Sequence, residues 1–172
     1  MRSAIALSLL LSTASADSRS DRMRQVNRNL PDVREGLADQ AFDAAIEVET
    51  DRLPASLLLS IAWGESRFDP TEVTGRVCGI MQVNPVDIGY THTACDAWRI
   101  SVRSGFLAGI EELEMMLADR RVHGDLRKAL LYRACGFRAF DGTCKKGAWP
   151  EWVLKRAQIL EGKRIHEHLP AL

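Results

Sequence analysis

What the chain has little of narrows its chemistry first. Its 172 residues carry 23 Lys and Arg against 23 Asp and Glu, so neither sign of charge is in excess. A nucleic-acid binder neutralises phosphates with concentrated positive charge, and this balance argues against that class. Aromatic residues make up only 6%, although four of them are Trp. After the N-terminus no run approaches the ~20 apolar residues that a membrane-spanning helix needs. No Cys-x-x-Cys pair occurs, so neither a zinc ribbon nor a thioredoxin-type motif is expected. G-x-S-x-G, H-E-x-x-H and the P-loop are missing as well. His166 and His168 stand two residues apart, on different helical faces, and His92 and His123 have no evident partner, so no metal site is expected.

What is present is a globular balance, 46% apolar and 27% charged, at a length that suits one domain. The N-terminus has the form of a secretory signal peptide over residues 1–16. Met1-Arg2 supplies a positive start, Ala4 to Leu11 an apolar run, and Ala14-Ser15-Ala16 an A-x-A cleavage site. Residues 17–30 are polar and charged and read as a flexible leader with a late helical turn. Export without stable membrane insertion, to the periplasm or the medium, fits the cysteine usage. Cys78, Cys95, Cys135 and Cys144 form an even set behind a signal peptide, which reads as two disulfides. Four cysteines allow three pairings. Cys78–Cys95 with Cys135–Cys144 is favoured because each pair brackets one loop-like segment.

From Pro31 the apolar pattern turns helical, and residues 31–172 read as one mainly α domain. Leu37, Ala41, Ala44, Ala45 and Val48 form one stripe. Pro54 suits a helix start, and Leu58, Ile61, Ala62 and Glu65 at i, i+3, i+4 and i+7 share a face of the segment that follows. Asp69-Pro70 stops that helix. Residues 71–98 look irregular, with a short strand possible within Val77 to Val83. A structureless stretch of that length usually carries function. Phe106, Ile110, Leu113 and Leu117 mark a further helix, in which Gly105 and Gly109 permit close backbone approach. Asp125 to Ala134 is another, then a loop from Cys135 to Cys144, then a last helix opened by Trp149-Pro150.

Glu65 is the residue to weigh first. A carboxyl near a helix C-terminus, on an otherwise apolar face, has its charged form disfavoured by desolvation and by the helix dipole. Such a group can serve as a general acid. The plainer alternative is an exposed Glu in a last helical turn. The words around it bear on the choice. Glu65-Ser66-Arg67-Phe68-Asp69-Pro70 is followed by Cys78-Gly79-Ile80-Met81-Gln82-Val83-Asn84-Pro85. These blocks resemble the E-S-x-F-x-P and G-[LI]-M-Q-[LV]-x-P patterns of the lytic transglycosylases, the soluble murein transglycosylase type. Leu53-Pro54 to Trp63 resembles the family's lead-in, Gly109 with Leu113 its G-x-x-x-L helix, and Ala129 to Tyr132 its A-x-x-x-Y-N block. The likeness spans about residues 50–160.

The resemblance implies a helical lysozyme-like (goose-type/transglycosylase) domain with disulfide-stapled loops. It implies cleavage of peptidoglycan glycan strands without a cofactor. Glu65 matches the catalytic acid/base, and Ser66 the serine that positions that glutamate or the sugar. Met81 and Gln82 match the segment lining the glycan groove, and Tyr132 the tyrosine near the catalytic carboxyl. Arg133 departs from the pattern, standing where the family has Asn; near the cleft it would suit the lactyl and peptide carboxylates of peptidoglycan, but a surface or disulfide-loop position is the one expected for it. A hydrolytic muramidase of the same fold would more often need a second carboxylate, for which Asp69, Asp87 and Asp96 are the candidates. A non-catalytic glycan-binding or scaffold protein is the alternative of a different class. The small size suits local wall opening beside a secretion or envelope apparatus. Lys145, Lys146, Lys155, Arg156, Lys163 and Arg164 cluster late and suggest an anionic partner or a solvated helix face. Trp98, Trp149 and Trp152 are expected mainly in packing.

Overall fold

The computed structural model describes residues 20–31 and 33–162. The expected signal peptide at 1–16 and the C-terminal residues from Lys163, with Arg164, His166 and His168, lie outside them. The architecture is mainly α. Helix α1 covers 20–28, α2 Leu37–Val48, α3 Ala55–Ser66, α4 Ala94–Ile100, α5 Val102–Ala118, α6 Leu126–Cys135 and α7 Trp149–Leu160. Two short strands, β1 Val73–Thr74 and β2 Val77–Cys78, pair antiparallel with Val73 opposite Cys78. Single 3-10 turns cover Pro85–Ile88 and Gly136–Ala139.

Helix α3 is the centre. Ala55 through Ala62 are all buried, so the helix is enclosed on every side rather than along one stripe. It packs against α2 and α7, while α5 packs on α2, α4 and α6. Ser60 lies inside this apolar helix because its hydroxyl donates to the Ser56 carbonyl one turn back, at 2.7 Å. Pro54 occupies the N-cap, in extended backbone. After Ser66 the chain reverses abruptly. Arg67 and Phe68 both take positive φ, 56° and 66°, and Phe68 is fully buried. Non-glycine residues seldom adopt that region.

Residues 20–30 differ from the flexible leader expected over 17–30. Helix α1 docks on α2: Met23 and Asn27 are fully buried, and the Asn27 Nδ2 donates to the Ala38 carbonyl at 2.8 Å. Arg24 pairs with Asp43 and lies over the Phe42 ring, and Arg28 pairs with Asp39. Its partners come from α2, so its own polar composition concealed it.

Residues 71–98 are also more ordered than their composition suggests. Cys78 and Val83 exchange both backbone hydrogen bonds at 3.1 Å, closing a tight loop over Gly79 to Gln82. The strand expected within Val77 to Val83 is thus two residues and a bridge. Helix α4 fills the end of the segment, and the Cys78–Cys95 disulfide ties it to β2. Cys135–Cys144 is formed as well, so both favoured pairs are present. Among the described residues no helix is long and apolar enough to cross a membrane.

The glycines of α5 determine where the Gly79–Gln82 loop sits. A Cβ on Gly105 would lie 2.9 Å from Ile80 Cγ2, and one on Gly109 only 2.6 Å from Met81 Cε. Helix and loop therefore meet at a distance only glycine permits. The Trp residues pack as expected: Trp98 is buried behind the loop, and Trp152 stacks on Trp63 with ring centroids 5.2 Å apart. Arg156 does not join a basic surface. It is buried against the Trp63 ring, and burial lowers its guanidinium to about pH 10.

Candidate functional site

The last turn of α3, the Gly79–Gln82 loop, α5 and α6 converge on a cleft of about 550 Å³. Glu65 enters it from the end of α3 with its side chain 26% exposed. Ser66 turns the other way. Its hydroxyl lies 2.8 Å from the Ile80 carbonyl and 3.2 Å from the Ala62 carbonyl, tying the helix end to the loop. Its position explains the order of the two sequence blocks: residues 14 apart in the chain are joined directly behind the carboxyl.

Each remaining site candidate has a definite place. Gln82 lines the cleft, with its Nε2 donating to the Gly79 and Glu72 carbonyls at 2.9 and 3.0 Å, which holds the loop closed at a φ of 50°. The Met81 side chain is fully buried against Gly109, so its backbone carbonyl, rather than its thioether, reaches the site. Tyr132 lines the cleft from α6, and its hydroxyl accepts from Arg121 Nη2 at 3.3 Å. The three acids proposed as second carboxylates separate. Asp87 lines the cleft. Asp69 is tied to Arg34 and to Thr71. Asp96 is exposed on α4.

Two residues that sequence reading undervalued hold the centre. Arg133, expected at the surface, is buried: its side chain is 4% exposed. Its Nη1 donates to Glu65 Oε1 at 2.7 Å, and its Nη2 donates to the Met81 carbonyl. Its Nε lies 2.9 Å from Glu112 Oε2, an ion pair without the angle of a directed hydrogen bond. Glu112, 8% exposed, comes from α5. Gly105, Gly109 and Glu112 stand at i, i+4 and i+7, so the helix face that admits the loop also delivers this carboxyl to the cleft. That spacing was the signal available in the sequence.

The electrostatics follow from burial and pairing. Burial pushes the Glu112 carboxyl above its ordinary range. Arg133 opposes the shift, and the negative charges of Glu65 and Asp87 add to it. Burial works against the Arg133 charge, but Glu112 and Glu65 outweigh it and hold the guanidinium above its ordinary range. The Glu65–Arg133–Glu112 array joins α3, α5 and α6 through one cation. Chemically the cleft presents one partly open carboxyl, a second carboxyl held behind a guanidinium, and polar walls from Gln82, Asn84 and Tyr132. Among the described residues no group of three or more His, Cys, Asp and Glu is placed to hold a metal ion. No family model, curated protein or solved structure matches the chain.

Proposed function

We propose that the protein is an exported peptidoglycan lytic transglycosylase with a lysozyme-like helical domain. It cleaves the β-1,4 bond between N-acetylmuramic acid and N-acetylglucosamine, with Glu65 as single acid/base. The observation that carries this reading is the meeting of the two resembling blocks in one cleft. Glu65 faces the cavity while the adjacent Ser66 is bonded to the loop that supplies Gln82. The periplasm or the exterior is the proposed location, and the two disulfides support it.

In the reaction Glu65, as the carboxylic acid, gives its proton to the glycosidic oxygen while the bond from that oxygen to muramic C1 breaks. The sugar left behind has oxocarbenium character at C1. The Glu65 carboxylate then takes the proton of the C6 hydroxyl as O6 bonds to C1, closing a 1,6-anhydro ring. Glu65 ends protonated, as it began, and neither water nor a cofactor is consumed. Arg133, whose Nη1 donates to Glu65 Oε1, holds the carboxyl in place and stabilises the carboxylate formed between the two steps.

A hydrolytic muramidase is the second reading, favoured by Asp87, which shares the cleft. Mass spectrometry of muropeptides released from purified peptidoglycan separates the two. Anhydro products, lost in Glu65→Gln, are expected. Products heavier by one water would make the enzyme a hydrolase. No product from folded, disulfide-intact protein would leave a non-catalytic glycan binder.

A further inference from the structure

Beside the cleft, and sharing Ala134 and Lys146 with it, lies a second pocket of about 260 Å³. Its other lining residues are Cys135, Arg138 and Lys145, so it holds three cations and no acid. Arginines elsewhere on the surface pair with carboxylates: Arg28 with Asp39, Arg52 with Glu114, Arg103 with Glu47 and Arg127 with Glu151. Among the described residues Arg138, Lys145 and Lys146 form no such pair. The acid of their own loop, Asp141, is engaged with the Thr143 backbone N–H at 2.9 Å and its hydroxyl at 2.6 Å. The Arg138 charge reaches Asp141 without an ion pair.

Arg138 sits within a braced loop, and Lys145 and Lys146 follow it directly in the chain. The Cys135–Cys144 disulfide closes the loop. The rings of Phe137 and Phe140 lie 5.8 and 4.9 Å from that of Tyr132, with the Arg121 guanidinium 4.8 and 4.7 Å from the same two rings. A loop held this way loses little conformational freedom on binding. The charge layout is also divided. In the cleft Arg133 is paired with Glu65 and Glu112, and Asp87 lines it as well, whereas the unpaired cations stand together at the adjoining pocket.

We infer that this basic pocket is an anion subsite that receives the carboxylates of the substrate's peptide stem. The inference rests on the peptidoglycan reading above. In a peptide-bearing strand the muramic lactyl carboxyl is tied up as the amide to the stem, so the negative charge lies on the carboxylates of the stem itself. A stem branching from a muramic ring beside Glu65 meets these unpaired cations.

The test uses Glu65→Gln protein, so that the probes stay intact, and two soluble tetrasaccharides of alternating N-acetylglucosamine and N-acetylmuramic acid. One carries stems with free carboxylates; in the other they are amidated. Titration calorimetry at low salt is expected to show the free-carboxylate probe binding about tenfold tighter, with the gap closing as salt rises. Adding Arg138→Gln and Lys145→Gln, both exposed substitutions, is expected to bring the preference below about twofold. Equal affinity for the two probes overturns the subsite, as does a preference that survives the double substitution. If neither probe binds, the subsite and the glycan reading fall together. If the preference and its loss are both seen but wild-type protein releases no product, the enzyme reading falls and the subsite stands.

Discussion

Replacing Arg133 by Met removes the guanidinium held between Glu65 and Glu112 and leaves a chain of similar length. Glu65 retains access to solvent, whereas Glu112 is 8% exposed and becomes a buried carboxylate without its counter-charge. Breaking such a pair costs about 3–5 kcal/mol. The protein has a cheaper course, which is to protonate Glu112. From an ordinary value of 4.5, that costs about 3.4 kcal/mol at pH 7, at about 1.36 kcal/mol per pH unit. The expected loss at pH 7 is therefore at most about 4–5 kcal/mol, of which about 1 kcal/mol is the hydrogen bond to the Met81 carbonyl. The sign follows from the proton count. A carboxyl whose folded value lies above its unfolded one binds more protons when folded. Its stabilising effect is complete below the unfolded value and is lost as pH rises through the folded one. The direction already holds for Glu112 in the wild type, and losing Arg133 strengthens it. The gap between variant and wild type is therefore expected to widen from pH 4.5 to pH 7, and only about 1 kcal/mol is expected to remain at the acidic end. Urea denaturation at a series of pH values, with both disulfides intact, measures this. Adding Glu112→Gln is expected to flatten the profile. A deficit independent of pH, or one that Glu112→Gln leaves unchanged, would refute the account.

Two further expectations concern the scaffold of the cleft. In Gly109→Ala the added methyl meets the Met81 side chain at 2.6–2.9 Å, including its Cβ; the overpacking cost of about 1–3 kcal/mol outweighs the ~1 kcal/mol gained in helix propensity. Thermal denaturation should show a lower midpoint, and cleavage should fall further because the Met81 carbonyl that Arg133 uses is displaced. Removing the Cys78–Cys95 bridge by double alanine substitution frees a loop with a sequence separation of 17, a loss of about 3 kcal/mol in chain-entropy terms. Denaturation compared with the intact protein checks this.

Features that rest on neighbours in the chain were readable in advance. The stripe through Leu58, Ile61, Ala62 and Glu65 identified α3 and placed its carboxyl, whereas the helix stops at Ser66, on the positive-φ pair Arg67-Phe68, ahead of the Asp69-Pro70 expected to end it. Gly105 and Gly109, four apart, signalled a close contact before its partner was known. Short or polar elements escaped. Helix α4 has only seven residues, too few to show a period, and its disulfide ties it down. Helix α1 carries Met23, Val26 and Asn27 in register, but charges dilute them, and its anchors belong to α2. Glu112 stands in Glu111-Glu112-Leu113-Glu114, where composition alone suggests a solvated face; the helical phase relative to Gly109 turns it inward.

The sequence by itself thus determined the helical class, an even set of cysteines and a carboxyl near the end of an apolar helix. Each follows from composition, periodicity or spacing, which are short-range properties of the chain. Only the tertiary structure decided that Arg133 is buried, that Glu112 joins it and that Asp87, unlike Asp69 and Asp96, reaches the cleft. Residues 65, 112 and 133 stand on three helices, and whether their charges meet depends on how those helices pack. That packing is set by the glycine face of α5 and the loop seated on it.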